Sequence, residues 1–346
     1  MSGGSSGGGG GGELLQKWLE GKVKAAADAT AQPGHSVDAT AEAEKITEEL
    51  KKDFEEAWRK LQASLAEAEA REINTFCGTQ VALAVEGAED RKNWHGRNEY
   101  VKDLCKGLMG IRYFMSGIKE LGGGSRNVEI ERNITEYQWL ARCTVGMLAL
   151  SEIYGDHCKL DKVISYVTPK VEENLKKYLK NSNDQAMIEK CEGKVDATAL
   201  MIGRAVLGDQ IKQWADVERR KGKNERAWRL GQLWQDKWKS VCPQEGGEIT
   251  EEGKKKELKE NARSMTKLMS LDNNNQNKNG VMPLSDVLIG ESEDYSLDLN
   301  KLTEVFKKAL ENTGTSGSTS NVNVAGAIMK EITKQSDEKL GKYIFY

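Results

Sequence analysis

The sequence predicts an all-α fold, an irregular multi-helix bundle of about six or seven helices over residues 13–243, and three observations carry that expectation. Only four prolines occur in 346 residues, so few positions interrupt a helix. Apolar residues return at steps of three and four along most of the chain, which is the period of one helix face. Six cysteines, Cys77, Cys105, Cys143, Cys158, Cys191 and Cys242, are separated by 14 to 50 intervening residues. Each lies on or beside a different predicted helix, a spacing that suits inter-helix disulfides better than a zinc knuckle.

Residues 1–12 are nearly pure Gly and Ser and predict a flexible tail. A short amphipathic helix starts at Glu13 with Leu14, Leu15, Trp18, Leu19 and Val23, and Pro33-Gly34 breaks the pattern. Ser36 or Asp38 offers an N-cap for a long charged helix, 38–70, whose apolar side carries Ile46, Leu50, Phe54, Trp58, Leu61 and Leu65. The segment 78–96 is mixed, and Trp94-His95-Gly96 reads as the turn before a helix over Tyr100–Ile118. That helix sets Cys105 in an apolar stripe, carries Gly107, Gly110 and Gly117 as points of close helix approach, and is ended by the glycines of 121–125.

A helix over 128–153 carries Cys143 and closes at Gly155-Asp156-His157-Cys158. The next, 160–180, has Pro169 in mid-run as a kink or break. A helix over 184–220 follows with Cys191, Trp214 and Val217, and one with Trp228, Trp234 and Trp238 stops at Cys242-Pro243. Residues 244–282 then read as a low-complexity linker with one helix near 255–271. The rest, 283–346, reads as a weakly helical, partly disordered and largely separate segment, possessing helical patterns at 297–310 and 324–332 and suited to the start of a further domain.

Charge and composition exclude several function classes. Net charge is −3 although 30% of residues are charged, which lacks the basic excess a nucleic-acid surface uses to release phosphate counterions. No run of about 18 apolar residues predicts a membrane span, no basic-then-apolar N-terminal pattern predicts a conventional secretory signal, and Ser2 stands where myristoylation requires glycine. The six cysteines fit either redox compartment, and if all pair there are fifteen connectivities that the sequence does not choose among.

Motif reading is mostly exclusion. The chain has no H-E-x-x-H, paired C-x-x-C, G-x-S-x-G or phosphate-binding loop. Asn275, Asn277, Asn279, Gly280 and Asp286 fall on a calcium-loop pattern, but one carboxylate is too little charge for a hard cation, and Pro283 interrupts the loop. Asp156-His157-Cys158 juxtaposes an imidazole and a thiol, yet sequence neighbours diverge and catalytic partners come from distant segments. Disulfides are favoured over reduced core thiols, and both over metal binding or catalysis. No catalytic residue, metal ligand or cofactor site is assigned. Trp18, Trp58 and Trp139 read as core, as do Trp228, Trp234 and Trp238, although that last group also suits a partner anchor. Asn133-Ile134-Thr135 is the one N-glycosylation sequon.

Three stretches carry a resemblance: MSGGSSGGGGGGELLQKWLE at the start, the Cys105-to-Met115 run, and GMLALSEIYGDHCKLDKVISYV from Gly146 to Val167. Together they resemble the N-terminal extracellular alpha domain of the SICA antigens, the schizont-infected cell agglutination variant antigens of the malaria parasite Plasmodium knowlesi. The resemblance covers residues 1–243. It implies display on the infected erythrocyte, antigenic variation, adhesion to host cell-surface or serum proteins, recognition by antibodies, and no enzymatic activity or small-molecule substrate. SICA antigens also carry further cysteine-rich repeats, a transmembrane helix and a cytoplasmic tail, so the resemblance implies a fragment, a truncated family member or a short variant here. The alternative from the residues themselves is an intracellular helical scaffold, motivated by the charged helix 38–70 and the lack of a membrane span.

Overall fold

In the computed structural model, residues 13–30, 38–66, 71–86, 94–120, 128–176, 186–187, 189–220, 241–242, 251–268, 284–289 and 299–314 are described. Among them the chain forms α1 (Glu13–Thr30), α2 (Ala39–Ala66), α3 (Arg71–Phe76), α4 (Thr79–Glu86), α5 (Trp94–Met115), β1 (Ile118–Glu120), β2 (Val128–Ile130), α6 (Glu136–Ala149), α7 (Leu160–Lys176), α8 (Ala197–Arg220), α9 (Glu251–Leu268), α10 (Leu284–Ile289) and α11 (Leu299–Gly314). The architecture is the all-α bundle that the periodicity predicts, with one short strand pair added.

The Asp38 carboxylate starts α2 by accepting from the Thr40 and Ala41 amides at 2.9 and 3.3 Å, which selects Asp38 over Ser36 as the cap. Its predicted stripe is core: Ile46, Leu50, Phe54, Trp58, Leu61 and Leu65 are all buried. Trp58 meets Trp214 of α8 edge-on, with ring centroids 5.3 Å apart. α1 is tied to α2 where Trp18 Nε1 donates to Asp53 Oδ2 at 3.0 Å.

The centre of the bundle is α6. Every residue from Trp139 to Ala149 is buried, because α1, α2, α5 and α8 all pack against it. Thr135 begins it with a reciprocal capping box: its hydroxyl accepts from the Gln138 amide at 3.3 Å, and the Gln138 side chain accepts from the Thr135 amide at 3.0 Å. The helix runs directly into a π-helical segment, Leu150–Tyr154. That wider turn delivers the chain to Gly155 and the His157-Cys158 turn.

Four boundaries differ from expectation. Within the mixed segment 78–96 the helix α4 forms, and Trp94-His95-Gly96 is the first turn of α5 and not a turn before it. The Cys105 helix ends before Ile118 instead of at the glycines of 121–125. Gly117 turns left-handed with φ +70°, which glycine tolerates without a Cβ clash, and β1 pairs antiparallel with β2 in the register Ile118↔Ile130 and Glu120↔Val128. The expected helix 128–153 is therefore shortened at its start by a strand and a turn. The expected helix 184–220 is interrupted: among the described residues 186–187 are helical, turns run over 189–194, and α8 starts at Ala197.

Pro169 neither ends nor splits α7. The carbonyl it leaves without an amide donor is that of Ser165, four residues back, and Ser165 lies on the exposed face of the helix. Among the three glycines of α5 and its end, Gly107 does admit a close neighbour, since a Cβ there would overlap the Tyr154 hydroxyl. Gly110 does not, because a Cβ would meet only Leu65 at 4.0 Å.

The helices beyond residue 243 share this core. Ala262, Met265 and Leu268 of α9, Val287 and Leu288 of α10, and Leu302, Val305 and Phe306 of α11 are buried in one apolar cluster with α1–α8. α9 packs on α7, α10 on α9 and α8, and α11 on α2. The Gly/Ser tail 1–12, the tryptophans at 228, 234 and 238, most of the linker 244–282, and the helical pattern at 324–332 lie outside the described residues.

Candidate functional site at the disulfide framework

All six cysteines are paired. Cys77–Cys105 joins the end of α3 to α5, Cys143–Cys191 joins α6 to the 189–194 turns, and Cys158–Cys242 joins the turn before α7 to the residues just after the 221–240 stretch, with Cα separations of 5.6, 5.3 and 5.8 Å. The bridges close loops of 28, 48 and 84 residues and leave no free cysteine. Each bond links segments distant in sequence, so each limits the unfolded chain more than it shapes any single helix.

The turns at 189–194, which sequence periodicity does not reveal, bring together three ion pairs. Cys191 is buried in its disulfide, with its Sγ 3.3 Å from the Met115 carbonyl oxygen. Its neighbour Glu192 accepts from Arg112 of α5, a guanidinium only 1% exposed. Burial lowers the Arg112 pKa and raises that of Glu192, and the attraction between the two opposes both shifts. Lys190 pairs with Glu136 at the start of α6, and Lys194 with Glu13 at the start of α1. Carboxylates at helix N-termini are electrostatically well placed, so this one turn ties three helices by charge and a fourth contact by a disulfide.

A second buried arginine, Arg142 of α6, donates to the Phe114 carbonyl and to Glu131, and its guanidinium lies 4.3 Å from the Phe114 ring centroid. It fastens the end of α5 and the residue after β2 to the central helix. Neither arginine was singled out in the sequence, because an arginine inside an apolar run carries no periodic signal of its own.

The Asp156-His157-Cys158 run has a structural role. Cys158 is consumed in a disulfide, and Asp156 receives Arg219 of α8 at 3.0 Å. His157 is fully buried, and burial holds its pKa well below the usual imidazole range, so the ring is neutral. The Tyr100 hydroxyl lies 3.0 Å from His157 Nδ1, 3.1 Å from the Cys158 carbonyl oxygen and 3.5 Å from Cys242 Sγ. Both hydrogens are placed if His157 Nδ1–H donates to the Tyr100 oxygen and the phenol donates to the Cys158 carbonyl. Asn261 of α9 completes the centre: its amide donates to the Gly155 and His157 carbonyls at 2.7 and 2.8 Å, and its oxygen accepts from the Asp161 amide at 3.1 Å. Such a network fixes a turn; it presents no nucleophile to solvent.

Of the calcium-loop residues, Asn275, Asn277, Asn279 and Gly280 lie outside the described residues, while Asp286 falls within α10. Among the described residues no group of three His, Cys, Asp or Glu side chains gathers as a metal would require. Asn133 is exposed in the turn before α6. A shallow cleft of about 200 Å³ opens beside the 189–194 turns, lined by Glu13, Lys17, Glu136, Glu189, Lys190 and Lys194 with Leu14 and Ala186. Lys17 and Lys194 draw the Glu13 pKa down to about 2 by hydrogen bonding.

No helix among the described residues is long and apolar enough to cross a membrane. No curated protein and no solved structure is significantly similar to the chain. The family model of the SICA extracellular alpha domain matches residues 12–214, a span that begins at α1, includes five of the six cysteines and ends within α8. The chain therefore belongs to the SICA extracellular alpha domain family.

Proposed function

We propose that this protein is a variant surface antigen of infected erythrocytes, whose disulfide-tied bundle carries exposed helix faces that vary between copies and engage antibodies and host cell-surface or serum proteins. Family membership over residues 12–214 carries the reading. The pairing of all six cysteines supports an oxidising, extracellular setting. The surface fits as well: of the large apolar side chains among the described residues, only Leu83 and Val217 are exposed. Polar helix faces tolerate substitution without loss of the core, which is the property that antigenic variation requires. They also suit recognition by antibody loops, which is more polar than most binding. The reading assigns no catalytic step, and Asn133 in its exposed turn is a glycosylation candidate only.

Antibodies raised against oxidised residues 13–243 are expected to stain intact infected erythrocytes. Signal that appears only after permeabilisation would overturn the reading in favour of an intracellular scaffold. Mass spectrometry of the native protein under non-reducing conditions is expected to show the three linked peptide pairs 77–105, 143–191 and 158–242.

A further inference from the structure

The three disulfides differ in their surroundings. Cys77, Cys105, Cys143 and Cys191 are each 0% exposed, whereas Cys158 is 4% and Cys242 7% exposed, so of the three bonds only the last reaches the solvent boundary. The polar neighbours differ more. The Met115 carbonyl oxygen stands 3.3 Å from Cys191 Sγ, and its lone pairs would repel a thiolate there. At the last bond the neighbour is a hydroxyl: the Tyr100 oxygen lies 3.5 Å from Cys242 Sγ and 3.8 Å from Cys158 Sγ. Cys158 also stands two residues ahead of α7, at the helix end that favours an anion.

These differences bear on thiol–disulfide exchange, in which a thiolate attacks one sulfur and the other leaves as a thiolate. A leaving thiolate in an apolar core is costly, and one that accepts a hydrogen bond from a nearby donor is favoured. Tyr100 supplies such a donor. In the arrangement that places both hydrogens, its phenol donates to the Cys158 carbonyl at 3.1 Å, and rotation about the C–O bond turns that hydrogen to sulfur. His157 Nδ1, 3.0 Å from the same oxygen, keeps the phenol in place.

We propose that Cys158–Cys242 is an exchange site: a dithiol reductant opens this bond in the folded protein while the other two stay closed, and the opening loosens α9. One thiolate of the reductant attacks the sulfur of Cys242, the more exposed residue of the pair, and forms a mixed disulfide. The S–S electron pair leaves on Cys158 Sγ, where Tyr100 donates to it. The reductant's second thiolate then attacks its own sulfur in the mixed disulfide and releases Cys242. Two electrons pass to the protein, both cysteines take up protons from water, and the dithiol is oxidised to its disulfide. The change reaches α9 because Asn261 binds the Gly155 and His157 carbonyls and the Asp161 amide, backbone groups on either side of Cys158. The proposal does not rest on the antigen reading.

Timed reduction of the full-length oxidised protein tests it. Dithiothreitol is added without denaturant, free thiols are alkylated at intervals, and mass spectrometry follows each cysteine. Cys158 and Cys242 are expected to become alkylated together, about tenfold faster than the other four. Equal rates for all six, or earlier opening of either other bond, would overturn the proposal. Tyr100→Phe removes the hydroxyl and keeps the ring. It is expected to slow opening of 158–242 about fivefold relative to the other two bonds, the worth of one hydrogen bond. A variant that merely folds less well would open all three bonds faster, and an unchanged or raised ratio would overturn the role of Tyr100. After selective reduction, amide exchange is expected to quicken in α9 and to stay slow in α2, and unaltered protection in α9 would overturn the coupling.

Discussion

Leu61 of α2 and Phe306 of α11 are both fully buried, but the helices that carry them are secured by different means. The α1–α8 part is closed by three disulfides and by buried arginine pairs at Arg112 and Arg142. The α9–α11 part is held by apolar packing and by hydrogen bonds at Asn261, at the Leu288 carbonyl and at the Thr303 hydroxyl. A disulfide acts mainly on the unfolded chain and keeps acting when packing loosens, whereas packing and hydrogen bonds vanish once the helix lifts. The two parts should therefore differ in cooperativity, with α11 opening at a smaller free energy than the bundle beneath it.

Removing the crosslink over the longest loop should break this contrast most strongly. Cys158→Ala with Cys242→Ala opens a loop of 84 residues, for which the chain-entropy account gives a loss of about 4.5 kcal/mol. Cys77→Ala with Cys105→Ala, over 28 residues, should lose about 3.5 kcal/mol by the same account. Denaturant unfolding under non-reducing conditions checks both. Equal and negligible losses would show that packing alone holds α1–α8.

Glu192→Gln tests the buried charge. Arg112 is 1% exposed, and removal of its carboxylate partner leaves a buried cation, a change that costs about 3 kcal/mol in comparable pairs. Replacing both, Arg112→Leu with Glu192→Gln, should recover most of that loss in a double-mutant cycle. In the other part of the molecule, Asn261→Ala removes three hydrogen bonds to backbone groups at Gly155, His157 and Asp161 and should cost about 2 kcal/mol. The distinguishing readout is amide exchange. Glu192→Gln should lower protection throughout α1–α8, and Asn261→Ala should lower it chiefly in α9 and the 155–161 turn.

What the sequence showed of this arrangement follows from which signals are periodic. The α2 stripe from Ile46 to Leu65 is legible because its large apolar positions repeat at helical spacing through a helix of 28 residues. The dispersed cysteines announced long-range ties, though not their pairing, which depends on how α3, α5 and α6 are placed in space. The strand pair was hidden because Ile118 continues the apolar spacing of α5, and three-residue strands are too short to show an alternation. The turns at 189–194 read as helix in the sequence because Cys191 and Val195 continue the four-residue step from Met187, although the chain leaves the helix after 187 and turns over 189–194. The packing of α9–α11 was concealed for a different reason: a charged, asparagine-rich connection looks like a domain linker whether or not the helices after it return to the same core.

The smallest effect is a pH dependence at the start of α1. Glu13 titrates at about 2, against an ordinary 4.5, because Lys17 and Lys194 hydrogen-bond its carboxylate. A depressed carboxylate pKa stabilises the fold above the unfolded value and loses that contribution as pH falls, here between about 4.5 and about 2. The Glu13 side chain is 36% exposed, so water and salt screen the pairs and the contribution is below about 1 kcal/mol. Glu13→Gln should thus change stability at pH 7 by less than any substitution above, flatten the acid limb slightly, and lose its effect near pH 2, where the native carboxylate is itself becoming protonated. Since Lys194 sits in the disulfide-anchored turn while Glu13 begins the first helix, a Glu13→Gln effect that persists after reduction of Cys143–Cys191 would show that the turn keeps its place without its crosslink.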